Sequence, residues 1–290
     1  MKLINMYTPA GNRLGILTER GVIDVASCAS DPRVPRTMMQ ALRLGLDQTL
    51  PLLQDMEAAA QEYLPEAGIV YAPAVDDPEK IFCIGVNYRA HIEETRGSFT
   101  PAEAPTVFAK FRNSLAPHKG FVILNRVETR HDYEAEITVV IGRRCAYVSP
   151  EDAMDYVFGY TLANDISART LQKVTSQWVP GKTCDTFCPL GPCIVTADAL
   201  PYRNMHLTGW KNGEKRQEGW STDMLHDIPA LVSYLSNCCT LEPGDLILTG
   251  TPAGVILGRP AEQQDWLQPG DVLDVCEDTI GRLHVTVKEA

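Results

Sequence analysis

Three acidic residues stand two apart at the start of an apolar segment, residues 131–142, which reads HDYEAEITVVIG. Alternate side chains of a strand point to the same face, so Asp132, Glu134 and Glu136 would share a face with successive Cα atoms ~6.6 Å apart. Such a cluster is typical of a charged edge strand that discourages pairing with other strands. It is equally typical of a site for a hard divalent cation, because Mg²⁺, Mn²⁺ and Ca²⁺ prefer oxygen ligands.

Other residues could complete such a site. Asp165 ends the apolar segment GYTLAND and could bring an acid from a second strand, although an aspartate there is also a common turn residue. His91 and Glu94 are three residues apart and would be neighbours on a helix. Such a pair can act as a general base and the group that orients it, or can be an ordinary surface pair. Lys182 lies in a segment crowded with Gly and Pro, and Thr251 lies in a Gly/Pro-rich loop.

Several motifs of other enzyme classes are absent from the sequence. There is no G-x-S-x-G segment, which argues against one class of serine hydrolase. There is no G-x-G-x-x-G segment, and the segment VPGKT lacks the glycine that a phosphate-binding loop needs, since Ser176 stands in that position. Cys184, Cys188 and Cys193 do not have zinc-site spacing.

Five segments, taken in order, resemble the fumarylacetoacetate hydrolase family, and in particular its shorter bacterial-type members. These members include acylpyruvases, fumarylpyruvate hydrolases and 2-hydroxyhepta-2,4-diene-1,7-dioate isomerases. The segments are GVNYRAHIEE, DYEAEITVVIGR, GYTLANDISARTLQ, GKTCDTFCPLGP and LTGTPAGV. The resemblance extends over about residues 80–285 and is specific as an ordered set.

The resemblance implies a role for each matched residue. The metal would be Mg²⁺ or Mn²⁺, with Ca²⁺ also open, and its ligands would be Glu134, Glu136 and Asp165. Asp132 falls outside this ligand pattern and is left as a supporting or strand-end acid. The catalytic residues would be His91, Glu94 and Lys182. The substrate-binding residues would be Tyr88, Lys110, Gln172, Thr186 and Thr251.

The chain departs from the family pattern at three positions. Thr170 stands where an acid is common, Arg112 where many relatives have proline, and Cys184 where an aromatic or small residue is common. Arg112 could meet a second substrate carboxylate or could be a solvated side chain. None of the three is a predicted ligand or catalytic residue.

The resemblance implies a hydrolase that cleaves a C–C bond in a small 2,4-dioxo acid, such as an acylpyruvate or fumarylpyruvate. The alternatives on the same site are an isomerase or hydratase and a decarboxylase of a related 2-oxo diacid. An alternative of another class is a binding protein that keeps the metal without catalysis, but such a protein would be expected to lose His91, Glu94 or Lys182.

The elements that position these residues are mostly strands. The sequence predicts a β-rich α+β protein: a small α+β N-terminal domain over residues 1–75 and, over 76–290, a catalytic domain with the β-sandwich roll of the family. Residues 2–26 predict a meander, residues 37–64 two helices separated at Pro51, and Asn212-Gly213 a hairpin turn. The motif Leu-x-Pro-Gly-Asp occurs twice, each time before a strand.

Composition limits the partners. The 290 residues carry 26 Lys and Arg and 37 Asp and Glu, a formal net charge of −11, which argues against nucleic acid or an anionic membrane surface. No apolar run approaches the ~18 residues that span a bilayer. We therefore expect a cytoplasmic protein whose nine cysteines are buried free thiols. Its partner would be a small 2-oxo acid, and the resemblance implies a homodimer.

Overall fold

The computed structural model describes residues 1–96 and 103–290. The strands before residue 133 are β1 (Lys2–Thr8), β2 (Gly11–Thr18), β3 (Gly21–Asp24), β4 (Ile81–Gly85), β5 (Thr106–Lys110), β6 (Leu115–Pro117), β7 (Gly120–Leu124) and β8 (His131–Asp132). The later strands are β9 (Ala135–Ile141), β10 (Val157–Asn164), β11 (Ser167–Ala168), β12 (Cys188–Thr196), β13 (His206–Lys211), β14 (Glu214–Trp220), β15 (Leu246–Leu248), β16 (Val272–Glu277) and β17 (Gly281–Glu289).

The helices of the described residues are short and lie mostly outside the central strands. They are α1 (Val25–Cys28), α2 (Met38–Leu44), α3 (Leu46–Ala59), α4 (Arg89–Arg96), α5 (Arg169–Gln172), α6 (Val179–Lys182) and α7 (Ile228–Cys238). Within the described ranges, no helix is long and apolar enough to cross a membrane.

Two large sheets organise these strands. The first has the order β3-β2-β1-β12-β10-β9-β15-β4-β5, with β6 beside β12, and the second has the order β14-β13-β16-β17-β7. A third, two-stranded sheet joins β8 to β11. Most pairs are antiparallel, while β4–β15, β6–β12 and β7–β17 are parallel. The predicted β-rich α+β fold is confirmed.

The strand that follows the acidic cluster lies in the middle of the first sheet. All seven residues of β9 are buried, because one face packs towards the second sheet and the other towards the N-terminal helices. Burial on both faces explains its run of β-branched residues. The N-terminal meander joins the same sheet through β1 and β12, so apolar residues of both chain segments share one core. The domain boundary near residue 75 stays a prediction.

Local predictions from turn residues have mixed outcomes. The hairpin at Asn212-Gly213 is confirmed: both residues have positive φ, 54° and 79°, between β13 and β14. The break expected at Pro51 is wrong. The helices separate at Gly45, whose φ of 85° ends α2, and Pro51 lies within α3. All nine cysteines are free, but the prediction that they are buried is wrong for Cys28, Cys238 and Cys239, which are exposed.

Candidate active site

Three carboxylates converge at the ends of two neighbouring strands. Glu136 lies in β9, in register with Ala163 of β10, and Glu134 immediately precedes β9. Asp165 follows β10, and its backbone N–H donates to the Glu134 carbonyl at 2.8 Å. One carboxylate oxygen from each acid lies within 4.8 Å of the others, and all three residues are buried. The chain leaves strand geometry at Tyr133 and Glu134, so the single strand that was predicted is two strands, β8 and β9.

Three cations surround these acids. Lys182 Nζ donates to Glu134 Oε2 and Asp165 Oδ2, both at 2.7 Å. Arg169 Nη1 lies 2.7 Å from Glu134 Oε1, and Lys110 Nζ lies 2.6 Å from Asp165 Oδ1. Burial alone would raise the pKa of Glu134, but Lys182 and Arg169 outweigh it and hold that pKa well below its usual range. Burial lowers the pKa of Lys182, but Asp165 and Glu134 more than offset this, so the ammonium keeps its charge.

Glu136 differs from the other two acids because no cation of the described residues forms an ion pair with it. It is 1% exposed, and its Oε2 accepts the backbone N–H of Gly250 at 2.8 Å. Burial, and then the negative charges of Asp165 and Glu134, raise the pKa of Glu136 well above its usual value. A divalent cation among the three carboxylates would supply the missing positive charge, and an all-oxygen donor set suits such an ion. The residues present therefore fit the predicted kind of metal.

Asp132 supports this cluster from behind. Arg169 Nε donates to Asp132 Oδ2 at 2.9 Å, so Asp132 holds the guanidinium that contacts Glu134. The same carboxylate accepts the backbone N–H groups of Ile256 and Leu257 at 2.8 and 2.9 Å. These two residues begin a short 3₁₀ turn, Ile256–Gly258. Asp132 thus joins the acidic cluster to a distant loop.

The predicted His–Glu pair lies on α4, directly against that loop. His91 Nδ1 and Glu94 Oε1 are 2.8 Å apart, and His91 is 7% exposed. The other carboxylate oxygen of Glu94 accepts the backbone N–H of Gly254 at 2.9 Å. Because Glu94 occupies Nδ1, it leaves Nε2 of His91 for another partner.

One cavity of about 200 Å³ is lined both by His91 and by two acids of the cluster, Glu134 and Glu136. Six of the residues predicted for the site line it: His91, Glu134, Glu136, Gln172, Lys182 and Thr251. The Thr251 hydroxyl is already engaged, since it donates to the Ala135 carbonyl and accepts from Gln217. Gln172 Oε1 accepts from Arg169 at 3.1 Å, which leaves its amide nitrogen for a ligand.

Three predicted substrate contacts do not line the cavity. Lys110 lies behind Asp165, and its ammonium also donates to the carbonyls of Lys182, Phe187 and Ile166. Tyr88 is 2% exposed, and its hydroxyl has no hydrogen-bond partner among the described residues.

Thr186 is the third of these residues. Its hydroxyl accepts the backbone N–H of Ile123 in β7, away from the cavity. Thr186 also has a positive φ of 67°, so the tight turn there directs its side chain to β7. We therefore leave Lys110, Tyr88 and Thr186 out of the proposed substrate contacts.

Among the cavity-wall residues that the sequence interpretation missed are Phe108, Arg169, Lys173 and Trp178. Arg169 is one of three basic residues that neutralise a buried acidic cluster. The need for such a cation was a usable signal, because carboxylates without counter-charges are costly to bury. Trp178 packs against Phe108 with ring centroids 5.3 Å apart, and it closes over Gly85, where a side chain would collide with the indole.

Two of the departures from the family pattern have structural explanations. The backbone N–H of Thr170 donates to Glu128 Oε2 at 2.6 Å, so a distant acid provides the negative charge at the start of α5. Arg112 pairs with Asp77 at the surface and does not line the cavity, in agreement with a solvated side chain.

Comparisons with known proteins agree with this geometry. The family model described as fumarylacetoacetate (FAA) hydrolase C-terminal matches residues 80–288. The chain is 38% identical over 285 residues to the mitochondrial oxaloacetate tautomerase FAHD2A of Bos taurus, covering 96% of this chain and 88% of that protein. It is 42% identical over 217 residues to the oxaloacetate tautomerase YisK of Bacillus subtilis, covering 74% and 71%.

Two solved structures are similar over their full lengths. A fumarylacetoacetate hydrolase from Exiguobacterium antarcticum is 31% identical, with a TM-score of 0.86. The maleylpyruvate hydrolase from Sphingobium sp. SYK-6, in complex with manganese(II) and pyruvate, is 30% identical, with a TM-score of 0.80.

Proposed function

Because the chain belongs to the fumarylacetoacetate hydrolase family, we propose that it is a divalent-metal-dependent enzyme that interconverts the keto and enol forms of a small 2-oxo acid, with oxaloacetate as the first candidate. Two relatives that cover much of the chain carry the name oxaloacetate tautomerase. They favour tautomerisation over the C–C hydrolysis that the sequence predicted.

The observation that carries the proposal is the position of His91. Its side chain lines the same cavity as Glu134 and Glu136. Its Nδ1 is held by Glu94, so its Nε2 is the nitrogen that can exchange a proton with a bound molecule. A base beside a cation site is the arrangement that enolisation needs.

The proposed reaction moves one proton. When bound, Mg²⁺ or Mn²⁺ would withdraw electron density from the carboxylate and keto group of the substrate, which acidifies the C3 protons. His91 takes a C3 proton at Nε2 while Glu94 keeps the ring oriented. Lys182 stabilises the negative charge that develops on the 2-oxygen. His91 then returns its proton to that oxygen, which gives the enol, or to C3, which restores the keto acid.

The test is a tautomerase assay on the metal-loaded protein, in which the ultraviolet absorbance of the oxaloacetate enol is followed with time. His91→Asn should slow the reaction by about 10²- to 10⁴-fold, the usual contribution of a general base, without loss of Mn²⁺ binding. The matched control is His206→Asn, because His206 pairs with Glu218 on a surface hairpin away from the cavity. No acceleration by the wild type, or full activity of His91→Asn, would overturn the proposal.

Hydrolysis of an acylpyruvate-like acid is the second candidate. The same His91–Glu94 pair could deprotonate a water, and one similar structure is a hydrolase in complex with manganese(II) and pyruvate. Product analysis separates the two reactions, since hydrolysis in H₂¹⁸O places the label in a released carboxylate and tautomerisation releases no second acid.

The homodimer implied by the resemblance remains part of the proposal. Phe121 and Ile123 of β7 are 43% and 38% exposed at the edge of the second sheet, which gives a copy of the chain an apolar surface to cover. Light scattering of the purified protein would give its mass, and a monomer at micromolar concentration would contradict this expectation.

A further inference from the structure

The cations that line the cavity differ in whether an acid already pairs with them. Lys182 is paired with Glu134 and Asp165, and Arg169 with Asp132 and Glu134. Lys173, the residue after α5, also lines the cavity but forms no ion pair or side-chain hydrogen bond with any described residue. Its side chain is exposed, so it can turn towards a bound molecule.

The surroundings of Lys173 favour an added anion. The part of the Lys173 side chain that lies against the protein is desolvated, and this partial burial, followed by the positive charges of Arg169 and Arg130, lowers the pKa of Lys173. Glu128, whose carboxylate accepts four backbone N–H groups, among them that of Thr170 next to Arg169, forms no ion pair with Lys173. The ammonium of Lys173 is therefore left without an acidic partner among the described residues.

The rest of the wall limits what can bind there. Phe108 and Trp178 are aromatic, Ile84 and Leu257 are aliphatic, and the cavity has room only for a small acid. The carboxylate and keto oxygens of a 2-oxo acid belong at the metal ligands under the proposed function. Gln172 and Lys173 both line the cavity, and an amide N–H group and an ammonium are donors suited to a carboxylate at the other end of the molecule.

We propose that Lys173 binds the distal carboxylate of the substrate, so that the enzyme selects 2-oxo dicarboxylates over 2-oxo monocarboxylates. This inference rests on the proposed function, because it assigns the other end of the substrate to the metal ligands. It makes Lys173 a specificity residue and leaves proton transfer to His91.

The experiment compares oxaloacetate with 2-oxobutyrate, which lacks the second carboxylate. Exchange of C3 protons for deuterium is followed by NMR with Mg²⁺-loaded wild type and the variants Lys173→Gln and Lys173→Arg. The control is Lys215→Gln, which removes the same charge from an exposed residue of β14 that does not line the cavity.

For Lys173→Gln, we expect the ratio of kcat/KM for oxaloacetate to that for 2-oxobutyrate to fall about tenfold, as is typical for one exposed charge-assisted hydrogen bond. The loss should be mainly in KM for oxaloacetate. Lys173→Arg and Lys215→Gln should keep the wild-type ratio. An unchanged ratio in Lys173→Gln, with wild type active on both acids, would overturn the inference and leave the proposed function in place.

A binding measurement makes the test independent of turnover. Calorimetric titration of the two acids into the Mn²⁺-loaded proteins should show a preference of wild type for oxaloacetate that Lys173→Gln loses. Equal affinities of the two acids for wild type would refute the assignment of Lys173. Failure of wild type to bind either acid would refute the proposed function and this inference together.

Discussion

Glu136→Gln should make the metal-free protein more stable while abolishing metal binding. The substitution keeps the shape of the side chain, and the amide oxygen can still accept the N–H of Gly250. It removes a buried negative charge that no described cation pairs with. Breaking a buried ion pair costs ~3–5 kcal/mol because it leaves a charge uncompensated. Glu136 can limit its own cost by holding a proton, so we expect a gain of about 1–3 kcal/mol in the free energy of unfolding.

Glu134→Gln is the contrasting variant. Glu134 is paired with Lys182 and Arg169, so its neutralisation leaves two buried cations with one acid fewer. We expect this variant to lose roughly 3–5 kcal/mol of stability in the metal-free state. Neutralising these two neighbouring glutamates should thus change the free energy of unfolding in opposite directions.

The advantage of Glu136→Gln should depend on pH. The pKa of Glu136 is raised in the folded protein, so above the ordinary value of 4.5 the folded state holds a proton that the unfolded state has lost. Wild-type stability therefore falls as pH rises from 4.5 towards the raised pKa, and the variant escapes this loss. The difference between the two proteins should be small at pH 5 and larger at pH 8.

Calorimetry in EDTA and in Mn²⁺ measures both effects. A change of 1 kcal/mol moves Tm by ~2–4 °C in proteins of 150–250 residues, and Mn²⁺ at 100 times its Kd should add ~2.7 kcal/mol to wild type alone. If the Tm of Glu136→Gln in EDTA is equal to or below that of wild type, the Glu136 carboxylate does not destabilise the metal-free protein and the prediction is wrong. If Mn²⁺ raises its Tm as much as that of wild type, Glu136 is not a ligand.

Two further predictions concern other parts of the fold. In Gly258→Ala, the new Cβ would stand 2.6 Å from the Glu94 carboxylate. We expect kcat to fall about tenfold, because a displaced Glu94 misorients His91, with little change in Tm. The control is Gly68→Ala, whose Cβ meets nothing within 4 Å and which should keep the wild-type kcat. For His118, burial and nearby positive charge lower the pKa to about 4, so its contribution to stability is present above pH 6.5 and is lost as pH falls towards 4. His118→Asn should reduce this acid destabilisation by at most about 3 kcal/mol in urea titrations, and an unchanged slope of stability against pH would contradict it.

The sequence predicted those parts of the site that depend on residue type and order along the chain. Residue types alone left the acids open between a charged edge strand and a cation site, and the family resemblance singled out those at 134, 136 and 165, which the structure brings within 4.8 Å of one another. The hairpin at Asn212-Gly213 was recognisable because its turn requires positive φ at both residues. These features depend on local chemistry.

The features that sequence reasoning missed depend on which distant segments meet. Lys110 was read as a substrate contact, but its neighbours are carbonyls that residues 166, 182 and 187 bring behind Asp165. Trp178 became part of the wall through packing against Phe108 from another segment. The break between α2 and α3 lies at Gly45 and not at Pro51. A φ of 85° is readily adopted only by glycine, whereas Pro51 removes a single N–H donor from α3 and the helix continues through it.

Asp132 contacts both parts of the site, the acidic cluster and the turn that lies against α4. Through Arg169 it fixes Glu134, and through Ile256 and Leu257 it fixes the turn against which Glu94 rests. The predicted metal ligands and the predicted base are therefore connected through one carboxylate, although their segments are far apart in the chain. Loss of the Asp132 carboxylate should displace both parts of the site together, because it removes the hydrogen bonds to Arg169 and to the turn at Ile256.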